Sequence, residues 1–340
     1  MYLKRIKMTN YTVFQDLTMD FSRGINIFIG ENGTGKTHVM KLLYSACQAV
    51  NPQTSFSQKI VMTMLPDDYS IQRLITRRQG NQAAAVRIVA SDEKLAEKVL
   101  TADFNKKTKK WEADVTGEQG WEEKFAGLSS IFIPAEEILS HNYNLRAAVN
   151  KNNVRFDDTY LDILDAAKID ISAGRNNSTR DAMLKDIERI IGGTVTYDAK
   201  KEEFYLKIGS SRQEFNLVAE GIRKMGLLWQ LVKNGTLEKG SVLFWDEPEA
   251  NINPSYISII VKILLELQRG GVQIFLSTHD YMLANYFLVQ KTAQDNIVYH
   301  SLSKGAQGVT GYEQGEKFGD LKNNPIIQAF DRLLDEIYNL

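Results

Sequence analysis

The sequence predicts an α/β chain with a largely parallel central sheet, an antiparallel β subdomain and a helical lobe. Three observations carry this reading. Apolar runs at residues 25–29, 242–245 and 272–277 have the length of strands buried on both faces. Stretches with apolar residues at helical spacing, 221–232 and 255–268, alternate with such runs in the C-terminal half, as they do around a parallel sheet. Residues 84–90, 98–104 and 110–115 read instead as short antiparallel strands.

The elements follow in order. Residues 3–8 and 17–21 alternate apolar and polar positions, the pattern of half-buried strands. The run 25–29 ends on Gly30, and Val39, Met40, Leu42, Leu43 and Ala46 then recur at helical spacing. Residues 60–75 read as helical, Asn105 opens the turn between the last two antiparallel strands, and 129–134 is a short buried strand. Residues 137–192 are mainly helical; 181–191 is the clearest helix, stopped by Gly192-Gly193. Residues 194–197 and 203–208 pair as a hairpin. The expected organisation is a discontinuous core of residues 1–50 and 194–340, an inserted antiparallel subdomain over 51–136 and a helical lobe over 137–193.

A chain of 340 residues suits one large domain with an insertion, or two domains. The net charge of −1 supplies no global basic field, so any DNA or RNA partner would need a local patch. The densest basic run, Lys106, Lys107, Lys109 and Lys110, reads first as a solvated hairpin tip. A single cysteine, Cys47, excludes an internal disulfide or a cysteine zinc cluster and fits a reducing cytoplasm. It reads as a small buried apolar residue. The first residues have no signal-type apolar core, and no apolar run approaches the length of a membrane span.

Gly30-Glu31-Asn32-Gly33-Thr34-Gly35-Lys36-Thr37 has the spacing of a phosphate-binding loop and lies between an expected strand and an expected helix. Its glycines let backbone N–H groups turn inward onto phosphate oxygens, and the helix adds its positive end. Lys36 would reach the β- and γ-phosphates, and the Thr37 hydroxyl would ligate Mg²⁺. Asn32 and Thr34 belong to the loop mainly through their backbone. His38 adjoins it and is counted with the cofactor-binding residues, although, like His141 and His300, it has no place in the order of motifs. At residues 242–247 an apolar strand ends in Asp246-Glu247. Asp246 would hold the Mg²⁺ shell and Glu247 would orient or deprotonate the attacking water. In Phe275-Leu276-Ser277-Thr278-His279, His279 ends a buried strand where it would meet a γ-phosphate or its water. Tyr11 and Phe14 are open to two readings, stacking on a base or core packing.

That order of motifs resembles the ATPase heads of ABC, SMC and RecF proteins, and above all the ABC-class ATPases grouped with the overcoming-lysogenization-defect (OLD) proteins. The resemblance rests on the Walker A words Phe28-Ile29-Gly30-Glu31-Asn32-Gly33-Thr34-Gly35-Lys36-Thr37, on the Walker B words Asp246-Glu247-Pro248-Glu249 and on Ser277-Thr278-His279. Ile133-Pro134-Ala135-Glu136-Glu137 and Asn324-Pro325-Ile326 add to it. It implies a P-loop fold of the ABC-head type, ATP and Mg²⁺ as ligands, and a homodimer or higher homo-oligomer that pairs head to head on ATP. It also implies a separate effector, a nuclease or toxin of DNA-maintenance or antiphage systems. Gly221 would then allow close approach to the nucleotide held by a second copy, so that Gly221→Asp would block pairing and leave the chain's own site intact. Two departures qualify this. Val218-Ala219-Glu220-Gly221-Ile222 stands where the family has Leu-Ser-Gly-Gly-Gln, so Ala219 lacks a hydroxyl and Glu220 brings negative charge, for which Arg223 or Lys224 would compensate. No glutamine follows the 129–134 strand; Glu136 or Glu137 occupies that region, which makes slow hydrolysis the expectation.

The leading expectation is therefore an ATP-hydrolysing switch protein. A non-hydrolysing scaffold or DNA-binding module that uses ATP structurally is the alternative, favoured by Ala219 and opposed by Glu247 and His279. A small-molecule kinase fits less well, for Lys36 and Asp246 lie far apart in sequence and no arginine-rich lid is present. The segment after His279 is short for a fused nuclease, and 137–192 is short for a long coiled coil.

Overall fold

A computed structural model describes residues 1–339 except 79, 81, 152, 170–177 and 306–309. Alternation shapes its beginning. In β1 (Tyr2–Tyr11), Leu3, Ile6 and Met8 are buried and Arg5 and Lys7 exposed; β2 (Phe14–Asp20) buries Phe14, Leu17 and Met19. β3 (Ile25–Gly30) is buried at all six positions and feeds α1 (Lys36–Gln48). After α2 (Phe56–Met64), three strands return to β1: β4 (Ala83–Ser91), β5 (Glu97–Asn105) and β6 (Asp114–Thr116). They complete an antiparallel sheet of order β2-β1-β4-β5-β6.

The chain continues through α3 (Glu118–Phe125), β7 (Ser130–Ile133), α4 (Leu145–Asn150), α5 (Asp158–Lys168) and α6 (Ser178–Ile191). β8 (Thr194–Asp198), β9 (Glu203–Ile208) and β10 (Ser211–Glu214) form a small antiparallel sheet. The last part holds α7 (Glu220–Lys233), β11 (Val242–Asp246), α8 (Ile257–Arg269), β12 (Gln273–Ser277) and α9 (Tyr281–Gln290). It closes with β13 (Ile297–Lys304), β14 (Thr310–Gly315) and α10 (Pro325–Tyr338). The main sheet has the order β14-β13-β3-β12-β11-β7. Its strands run parallel except β14, which pairs antiparallel with β13.

Side chains of the parallel strands alternate between two cores. Ile25, Ile27, Ile131, Ile133, Leu243, Trp245, Ile274 and Leu276 face one core, built with α5 to α9. Phe28, Phe132, Phe244 and Phe275 face the other, which α1 and the antiparallel sheet complete. These four rings form a ladder across β3, β12, β11 and β7 with centroid separations of 6.4, 5.1 and 6.1 Å. Phe132, Phe244 and Phe275 lie in register on adjacent strands, and Phe28, opposite Ser277, joins them diagonally. A partly buried ionic cluster ties the phosphate-loop helix to the helical segment. Lys59 of α2 holds Asp158 and Asp162 of α5 at 2.7 and 2.6 Å, Tyr44 of α1 donates to Asp162 at 2.7 Å, and Lys41 pairs with Asp157, the N-cap of α5.

The α/β class with a parallel main sheet and a separate antiparallel sheet is as expected. Local differences have local causes. The helix expected over 60–75 ends at Met64, because Leu65 turns left-handed (φ 50°) ahead of Pro66, which disfavours helix before it. The strand expected over 110–115 shrinks to Asp114–Thr116, because Lys110 has φ 44° and the chain turns through 109–113. β10, polar and exposed, had no apolar pattern to announce it. The sheets also cross the expected boundaries at 50 and 136. β1 and β2 belong to the antiparallel sheet, while β7 joins the parallel one. Lys106, Lys107, Lys109 and Lys110 are exposed at the β5–β6 hairpin, and Cys47 is buried. Among the described residues no helix is long and apolar enough to cross a membrane.

Candidate functional site

The site lies where β3, β11 and β12 end side by side. β3 stops at Gly30, and residues 31–35 turn into α1 with Gly35 at its N-cap, φ 98°. A Cβ on Gly35 would stand 2.4 Å from the Phe14 ring and 2.7 Å from Val13, so the loop can lie this low on β2 only with glycine there. That contact also resolves the two aromatics: Tyr11 and Phe14 are 0% and 1% exposed, and both are core residues. Asn32 and Gly33 are exposed, and the buried Thr34 hydroxyl donates to the Glu31 carbonyl at 2.8 Å.

Lys36, 6% exposed, donates to the carbonyls of Gly30 and Glu31 at 2.9 and 3.1 Å. Burial lowers its pKa to about 8, against the opposing pull of Asp246, Glu247 and Glu249. The Thr37 hydroxyl donates to Asp246 Oδ2 at 2.9 Å, joining residues 209 apart in sequence. Ser277, opposite Asp246 in the parallel register, donates to its other oxygen. Glu247 follows with φ 49°, its N–H bonded to the Ser277 carbonyl at 3.1 Å. This left-handed turn leaves its carboxylate 3.7 Å from His279 Nε2. Burial first, then the Lys36 charge, hold the His279 pKa below its ordinary value, which keeps the imidazole neutral at neutral pH. His38 lies half-buried on α1 with an unpartnered, buried Nδ1; burial and Lys41 depress its pKa to about 4.

The structure thus brings Lys36, Thr37, Asp246, Glu247 and His279 together around one loop. Among the described residues no group of three or more His, Cys, Asp or Glu could hold a metal ion. The two convergent oxygens of Thr37 and Asp246 instead fit a Mg²⁺ that takes its other ligands from phosphates and water.

Gly221 lies in the first turn of α7. It is buried, and a Cβ there would meet the Asn251 carbonyl oxygen of the same chain at 2.3 Å. Gly221→Asp would therefore damage this packing and could not isolate a contact with a second copy. Gly221→Ala is expected to lower stability by about 1–3 kcal/mol through overpacking against rigid backbone, checked by urea unfolding. The cations beside Glu220 are engaged as well. Arg223 pairs with Glu137 and donates to the Val218 carbonyl at 2.7 Å, and Lys224 donates to the Ala250 carbonyl at 3.1 Å. Glu137 is thus a structural partner of α7, while Glu136 is exposed. Residues that carry no role in the sequence reading also gather here. Ser277 was findable from strand register alone. Lys304, 3.3 Å from Glu31, sits on β13, which no pattern announced.

Comparison with known proteins agrees with this geometry. Residues 1–161 match the family model described as "AAA ATPase domain", and residues 123–285 the model described as "AAA domain, putative AbiEii toxin, Type IV TA system". The DNA replication and repair protein RecF of Clostridium botulinum (strain Eklund 17B / Type B) is 31% identical over 106 residues, 31% of this chain and 29% of that protein. RecF of Cytophaga hutchinsonii is 25% identical over 225 residues, 61% of this chain and 53% of that protein. These matches span from under a third to about half of the RecF proteins' length. A crystal structure of the SmcHead bound to the C-winged helix domain of ScpA superposes with a TM-score of 0.61 at 12% identity, covering 93% of this chain and 98% of that one. The SMC head domain from Thermotoga maritima gives 0.53 at 14% identity, covering 93% and 100%. The chain is similar to AAA and RecF-type ATPases, each likeness covering part of it, and its fold is that of the SMC heads.

Proposed function

We propose that this chain binds ATP with Mg²⁺ in the 30–37 loop, hydrolyses it slowly, and pairs head to head with a second copy while ATP is bound. The observation that carries the reading is the 2.9 Å bond between Thr37 and Asp246, with Glu247 and His279 beside it. In this reading Lys36 exchanges its two carbonyl partners for phosphate oxygens, and Thr37 and Asp246 would hold a Mg²⁺, which would supply charge neutralisation at the phosphates. Glu247 orients the attacking water and takes its proton, and neutral His279 donates a hydrogen bond toward the γ-phosphate. The exposed Ala219 and the half-buried Glu220 begin α7, whose positive end would cover the partner's nucleotide.

A cytoplasmic switch that controls a separate effector, a nuclease or toxin in DNA maintenance or antiphage defence, is the role we favour. Its support is the likeness to RecF proteins and to the AbiEii-type model. The alternative, a non-hydrolysing ATP-dependent scaffold or DNA-binding module, draws on the missing hydroxyl at Ala219. Single-turnover phosphate release with Mg²⁺ or with EDTA, with and without DNA, separates the two. Release that requires Mg²⁺ is expected; none under any condition selects the scaffold. Light scattering of the Glu247→Gln protein should show its mass double with ATP, and a mass indifferent to nucleotide would remove the head-to-head pairing.

A further inference from the structure

The turn from Glu247 to Ile252 is held from two sides. On the side of β12, Glu249 Oε1 accepts the Thr278 hydroxyl at 2.7 Å and the His279 backbone N–H at 3.0 Å. On the side of α7, Lys224 Nζ donates to the Ala250 carbonyl at 3.1 Å, and the missing side chain of Gly221 lets α7 rest on the Asn251 carbonyl. A single short turn therefore connects the start of α7 to the segment that carries His279.

The residue type at 249 needs a reason. Glu249 Oε2 is buried and has no hydrogen-bond partner among the described residues. A carboxylate so placed costs more than a neutral side chain would, and burial raises its pKa above the ordinary value. What it provides is one oxygen in reach of two donors, one of them the backbone N–H of His279. The Lys224 ammonium, 1% exposed, feels the Glu249 charge from the α7 side.

We propose that Glu249 is a positioning residue: by holding the His279 backbone and the Thr278 hydroxyl it fixes where the His279 imidazole stands, and through its turn it ties that place to the position of α7. The kinetic consequence rests on the hydrolysis reading above; the placement of His279 does not. A shift of α7 against a second copy would then reach His279 through the three backbone residues 249–251, without contact between α7 and the nucleotide of its own chain.

The experiment follows the imidazole Cε1–H signals of the four histidines in the full chain by NMR, with His279 assigned through His279→Asn. Glu249→Ala is expected to displace the His279 signal by more than its linewidth and to leave the buried His300 signal in place. The same variant should lose about tenfold or more in kcat while its affinity for a slowly hydrolysed ATP analogue changes by less than about threefold. Glu249→Gln, whose amide oxygen still accepts both bonds, should keep the His279 signal near that of the parent and recover most of kcat. If Glu249→Ala does not fold, Thr278→Val, which removes one of the two donors, carries the same expectation for the His279 signal. An unmoved His279 signal, a parallel fall in kcat and analogue affinity, or a Gln variant as impaired as the Ala variant would overturn the proposal. A parent that releases no phosphate would remove the hydrolysis reading, and the His279 signal would still decide on Glu249.

Discussion

Lys36→Ala is expected to weaken the binding of a slowly hydrolysed ATP analogue by about 10- to 100-fold. The ammonium is buried and already makes two hydrogen bonds to loop carbonyls, so its place is set before nucleotide arrives. A hydrogen bond to a charged group contributes about 1.5–3 kcal/mol, which converts to that range of affinity. The pH dependence has a definite sign. Without nucleotide the Lys36 pKa is lowered to about 8, by burial above all. Phosphates against the ammonium raise it again, so the bound state holds the proton more tightly than the free state. Affinity should then be independent of Lys36 ionisation below about pH 8 and should fall as pH rises above it. Titration calorimetry at several pH values measures both effects. Lys36→Ala should abolish the fall above pH 8, and unchanged affinity in that variant would remove the phosphate-loop assignment.

Glu247→Gln is expected to bind ATP and Mg²⁺ normally and to release phosphate about 10²-fold more slowly, or worse, if Glu247 takes the water's proton. The glutamine keeps the shape of the side chain beside His279 and loses only its basicity. Asp246→Asn should behave differently, because Asp246 accepts from Thr37 and Ser277 where the metal would bind. Its main defect should be a weaker response of hydrolysis to Mg²⁺. Steady-state phosphate release over a Mg²⁺ series distinguishes the two. A Glu247→Gln protein as active as the parent would move the base elsewhere, with His279 the first suspect at 3.7 Å.

The features legible in the sequence were those that depend on local spacing. The phosphate loop, the strand ending in Asp246-Glu247 and the strand ending before His279 each announce themselves within about ten residues, and the structure brings all three to the C-terminal ends of adjacent strands in one sheet. Three-dimensional partners were not legible. Gly221 reads as a place for a ligand to approach, and nothing in the sequence says that the Asn251 carbonyl also packs against it. Arg223 and Lys224 read as cations that compensate Glu220; Lys224 does feel that charge more than any other, yet its ammonium also holds the 247–252 turn and Arg223 pairs with Glu137. Glu249 reads as part of a family word and carries no role until its oxygen is found on the His279 amide. In each case the residue type fits two partners equally well, and only the fold decides between them.

The order of strands in the main sheet has a consequence for how the protein is made. β3, which leads into the phosphate loop, is flanked by β12 and β13: Ile25 lies opposite Ile274 on one side and Ile297 on the other. An emerging chain therefore displays the loop sequence early but has neither neighbour for β3 until β12 (Gln273–Ser277) and β13 (Ile297–Lys304) have been synthesised. Contacts of such long sequence separation close large loops and form late. At synthesis rates of about 5–20 residues per second, the apolar strand 25–30 waits tens of seconds for its partners. The antiparallel sheet, whose strands all lie before residue 117, has no such wait and can cover one face of β3 and α1 in the meantime. The loop, the Asp246-Glu247 pair and His279 therefore cannot form one site during translation until the strand that leads to His279 has been made.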